Sequence, residues 1–76
     1  MKILNNEKIK DSLNRIVANY IIAYDALKKA DMSVKSYADA TEHLIDNTIT
    51  IANNLGGIKA IYYVNNLIAE YENNKN

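Results

Sequence analysis

Cysteine and proline are both absent from these 76 residues, and glycine occurs only twice, as the adjacent pair Gly56-Gly57. Without cysteine there are no disulfides and no thiolate metal sites, so no covalent staple holds this small domain together. Without proline, no position is barred from the interior of a helix. The longest apolar stretch, Ile16 to Tyr24, is broken by Asn19 and is too short to cross a bilayer, which takes about 20 apolar residues. No N-terminal segment combines basic residues, an apolar run and a small-residue cleavage site, so no signal peptide is expected. A single soluble domain over 1–76 follows as the expectation, in the cytoplasm of a bacterial host. Its two ends (1–5 and 73–76) are expected to be frayed.

An excess of one charge sign is also missing. Nine basic and nine acidic residues cancel, which argues against nucleic acid as a partner, since phosphate contacts call for a basic excess. The distribution is uneven. Residues 1–30 carry a net of plus three, and residues 31–55 a net of minus three from Asp31, Asp39, Glu42 and Asp46 against Lys35.

What the chain does have is helical periodicity. Val34, Tyr37, Ala38, Thr41, Leu44, Ile45, Thr48, Ile51, Ala52 and Leu55 follow an i, i+3, i+4 template without a slip. A first helix over about 6–29 has the seam Ile9, Leu13, Ile16, Tyr20, Ala23 or Tyr24, and Leu27, widened by Val17 and Ile21. Lys28 and Lys29 complement the dipole of its last turn. Ser33 is placed to cap a second helix over 33–55, with Met32 and Tyr37 at the positions of a hydrophobic staple. Gly56 is placed for the left-handed residue that ends it. A third helix over about 58–72 carries Ile58, Ile61, Val64, Leu67 or Ile68, and Tyr71. Short links between the helices imply antiparallel neighbours. The expected fold is all-α, a short antiparallel three-helix bundle completed by self-association.

Chemistry-bearing residues are few. His43 has Asp39, Asp46 and Asn47 three or four residues away, but a firm metal site needs ligands from a second element, so no metal or cofactor is expected. Histidine phosphotransfer domains, also helical, follow their reactive histidine with lysine and glycine three and four residues on. His43 is followed there by Asp46 and Asn47, and an acidic side chain would repel phosphate. A helix-turn-helix reading of 33–54 would need its turn at Thr41-Glu42-His43-Leu44, where the apolar period runs on unbroken. There is no Ser/His/Asp set, no glycine-rich phosphate loop and no carboxylate pair on separate elements near a histidine, so catalysis is not expected.

Surface residues are more informative. Ile22 shares its face with Arg15, Asp25 and Lys29. Ile49 falls on the face of Lys35, Asp39, Glu42 and Asp46. One of the neighbours Tyr62 and Tyr63 must point away from the seam. Apolar residues on polar faces of a chain this small point to an interface, with Ile22, Ile49 and Tyr63 as its apolar members and Asp39, Glu42 and Asp46 as an acidic rim. Twelve asparagines with abundant lysine, isoleucine and tyrosine match the codon bias of an AT-rich genome. Together these features suit a helical interaction protein that inhibits or regulates a protein partner, of the kind encoded by phages or mobile elements: anti-defence inhibitors, antitoxins, immunity proteins. Two other readings compete. An oligomer could sequester a nucleotide between Tyr20, Tyr24, Tyr63 and lysines, or the chain could be a small transcriptional regulator.

Overall fold

The structure, a computed structural model, describes residues 7–74. Among these there is no strand. Two helices pack on each other: α1, Glu7–Lys29, and α2, Val34–Asn74.

The expected count of three helices therefore becomes two, because the break between the second and third has shrunk to one residue. Gly57 has φ 68 and ψ −154 inside an otherwise helical run. This is a region of backbone space open essentially to glycine alone, so one residue can redirect the chain without a loop. The positive φ expected at Gly56 belongs to Gly57, which holds the one positive φ among the described residues. A straight helix of 41 residues would extend ~61 Å, yet the longest dimension of the molecule is 43 Å. Ile45 and Ile68, on opposite sides of Gly57, line one groove. In a straight helix they would stand ~34 Å apart. The two arms of α2, residues 34–56 and 58–74, are therefore folded against each other.

The boundaries follow local chemistry. Glu7 lies in the first turn of α1 and Lys28 and Lys29 in its last, each complementing the helix dipole. Ser33 caps α2 as its sequence position implies. Its Oγ accepts from the Ser36 backbone N–H at 3.1 Å, and its carbonyl accepts from the Tyr37 N–H at 2.9 Å. Asn73 and Asn74, expected to be frayed, continue α2. The expected start at Asn6 and the frayed ends 1–5 and 75–76 lie outside the described residues.

The core is small. Leu13 and Val17 of α1 meet Ala52 of the first arm and Ala60 and Val64 of the second. The alanines let the backbones approach closely. Thr48 is also buried, with its hydroxyl donating to the Leu44 carbonyl at 2.8 Å, and among the described residues no buried side-chain polar atom lacks a partner. The ten-residue stripe of the first arm is only partly covered, however. Leu44, expected as core, is half-buried, and Val34, Ala38, Ile45 and Ile51 are exposed. Ile58, expected on the buried seam, is 62% exposed, because the turn at Gly57 rotates it outwards. No helix among the described residues is long and apolar enough to cross a membrane.

Candidate partner interface

Thr48 stands between two open apolar grooves. One, between α1 and the first arm of α2, has a volume of about 240 Å³. Ile16, Ala23, Leu44 and Ile51 form its apolar lining, and Asn19 and Asn47 supply polar groups. The other, between the two arms, has a volume of about 160 Å³ and is lined by Ile45, Ile49, Ile68 and Asn65. Tyr20 and Thr48 belong to both. The grooves arise because threonine and alanine, not larger residues, occupy the centre of the first arm's inward face. Ile45 and Ile51 lie three residues to either side of Thr48 and line different grooves.

The residues singled out from sequence distribute unevenly around these grooves. Ile49, read as an apolar residue on a polar face, is half-buried and lines the groove between the arms. Asp39, Glu42 and Asp46 are exposed on the same arm. Asp39 pairs with Lys35 at 3.3 Å, an exposed i,i+4 contact of small energetic weight. Ile22 is 67% exposed on α1 and lines neither groove. Of the tyrosine neighbours, Tyr62 is the exposed one. Tyr63 is half-buried, and its hydroxyl donates to Asn14 Oδ1 at 2.9 Å, tying the second arm to α1. The structure thus gathers Ile49 with two residues not proposed as interface from sequence, Ile45 and Ile68, while Ile51 lines the other groove. The available signal was the width of the apolar stripe, which exceeds what two narrow neighbours can cover.

His43 Nδ1 bonds the Asp39 backbone carbonyl at 2.8 Å. The Asp39 carboxylate meanwhile faces Lys35, so histidine and carboxylate are not converged on a common ligand position. Among the described residues, no three histidine, aspartate or glutamate side chains cluster in a way that would hold a metal ion.

Beyond the grooves, the C-terminal half of α1 builds an aromatic ladder. The rings of Tyr20 and Tyr24 stack 5.8 Å apart at an interplanar angle of 8°, and Lys28 Nζ lies 4.9 Å from the Tyr24 ring centre. A hydrogen bond with the Tyr37 side chain, aided by burial and by the negative charge of Glu72, pushes the Tyr24 hydroxyl pKa up to about 12. Burial, with Glu72 and Tyr37, also raises that of Tyr20. Phenol contacts thus join the C-terminal half of α1 to the first turn of α2. Tyr63 is not part of the ladder; its hydroxyl is engaged with Asn14.

No family model matches the chain, and no curated protein or solved structure is significantly similar to it.

Proposed function

We propose that this chain is a non-enzymatic interaction protein that engages a protein partner through the two grooves flanking Thr48, and inhibits or regulates that partner by covering part of its surface. The observation that carries the reading is the pair Ile45 and Ile51. Both are large apolar side chains left exposed at the edges of grooves whose floors are already apolar. Grooves between helices with an apolar floor and amide side chains in their lining suit an amphipathic helix or a pair of apolar anchors from another protein. Their volumes, about 240 and 160 Å³, fall below the ~300–1,000 Å³ of ordinary small-ligand sites. Asp39, Glu42 and Asp46 lie on the same arm and would steer a basic partner towards it. In this reading the two arms of α2 act as the second and third members of an antiparallel three-helix bundle. The protein works inside a bacterial cell, with phages and mobile elements as its source class.

The nucleotide-sequestering alternative finds less support. Its stacking residues are not assembled, since Tyr20 and Tyr24 already stack on each other while Tyr63 bonds Asn14.

The test uses Ile45→Glu and Ile51→Glu, one change at each groove. Both residues are exposed enough to leave the fold intact, and the half-buried Ile49 is left unchanged. Proteins captured from a host lysate are purified and titrated calorimetrically. The expected outcome is a micromolar or tighter complex that both variants weaken at least tenfold (~1.4 kcal/mol) with unchanged helicity. Binding that survives both substitutions would remove the grooves from the interface. A melting temperature raised by nucleotides, with no protein bound, would favour the alternative.

A further inference from the structure

The two arms of α2 meet at Gly57 with no loop between them, and this arrangement has a continuous-helix counterpart. Residues on both sides of Gly57 are helical, and only its own φ 68, ψ −154 departs from the helix. A Cβ added at Gly57 would meet nothing within 4 Å. What excludes a side chain there is the backbone conformation itself, not a neighbouring atom. Any residue other than glycine would therefore be relieved by letting α2 run straight.

A second observation points the same way. In the hairpin, Ile51, Ile58 and Tyr62 are exposed, at 45%, 62% and 62%, and the turn separates Ile51 from the other two. Their spacing is seven and four residues. In an uninterrupted helix the three fall at i, i+7 and i+11, the spacing of a single apolar stripe carried through the hinge. The hairpin gives no account of apolar side chains at 58 and 62. The straight helix does.

We propose that Gly57 is a hinge through which α2 straightens, so that two copies of this chain exchange their C-terminal arms and form a dimer. In the exchanged form, Ala60 and Val64 of one copy fill the place they now hold against Leu13, Val17 and Ala52, but in the other copy. Every core contact of the hairpin is kept. Ile51, Ile58 and Tyr62 gain cover where the two straightened helices cross near Gly57. Gly57 opposes this, because glycine weakens a straight helix, and it holds the natural sequence towards the closed hairpin. In the exchanged dimer the occupant of the 51/58/62 face is thus a second copy of the same chain, whereas the closed monomer leaves Ile51 open at its groove. This inference does not depend on the partner reading and is tested without any partner.

The test reads chain path and mass together. The protein has no cysteine, so Asp46→Cys and Ala69→Cys, both at exposed positions, place spin labels uniquely on the two arms. The labelled chain is co-refolded with excess unlabelled protein so that only distances within one chain are read. A hairpin gives a short distance, and a straight α2 places the two sites ~35 Å apart. In the Gly57→Ala background, the long distance should dominate, and light scattering should report a dimer with a dissociation constant at least ~tenfold below that of the natural sequence. Gly56→Ala, at a position without positive φ, should leave the mass unchanged. A helical Gly57→Ala monomer with the short distance alone would overturn the proposal. Should that variant fail to fold, the natural sequence refolded at millimolar concentration decides. A long-distance population that grows with concentration supports exchange, and its absence at every concentration refutes it.

Discussion

Two ends of the same helices are built on different physics. Towards Gly57, Leu13, Val17, Ala52, Ala60 and Val64 are closed off from water, and small side chains draw the helices together. Towards Ser33, the contacts are a stacked tyrosine pair, a lysine over a ring and a hydrogen bond between phenols, while Val34 stays 86% exposed. The apolar period runs equally well through both ends. Close packing, not hydrophobic content, separates them. Interior packing rewards each methylene that finds neighbours on all sides, whereas an aromatic ladder carries polar tips that must find hydrogen-bond partners, and it tolerates looser geometry.

The difference can be broken in order of expected effect. Leu13→Ala should be the most damaging, costing ~2–5 kcal/mol as a cavity in the closed end, whereas Val34→Ala should cost less than ~0.5 kcal/mol. Urea midpoints at constant slope check this pair. Comparable losses would mean that the open end is packed as tightly as the other. Ser33→Ala should follow at ~1 kcal/mol, since it removes the acceptor for the Ser36 N–H. Hydrogen exchange should show that loss confined to the first turns of α2. Uniform loss of protection would mean that both ends unfold as one unit.

The smallest effect appears only in alkali. Below pH 10, Tyr24 is protonated whether the chain is folded or not, and its contribution to stability does not change. Between pH 10 and about 12 the unfolded chain releases the proton first, so stability falls as the pH rises. Tyr24→Phe should make that decline shallower, as read from urea midpoints across the interval. An unchanged slope would mean that Tyr24 and Tyr37 are not joined in solution.

Much of this molecule was legible in advance for local reasons. The seam of α1, the cap at Ser33 and the basic last turn of α1 depend on residues within a turn or two of one another. The choice between Gly56 and Gly57 was not legible, because either glycine accepts positive φ and only the packing of one arm on the other selects between them. The inward role given to Ile58 failed for the same reason: a turn of one residue sets the rotation of everything after it. The groove-lining residues were half legible. Ile49 was marked from its helical position, but its companion Ile68 lies nineteen residues away on another arm, beyond the reach of periodicity.

By itself, then, the order of residues determined that this chain is helical, where α1 ends and α2 begins, and that the fold must reverse near its only glycines. These are short-range matters of backbone freedom and apolar spacing. Which apolar residues are covered, which remain as grooves beside Thr48, and which tyrosine of the pair faces water were decided by tertiary structure. Burial is a relation between surfaces, and no single helix contains the surface it will meet.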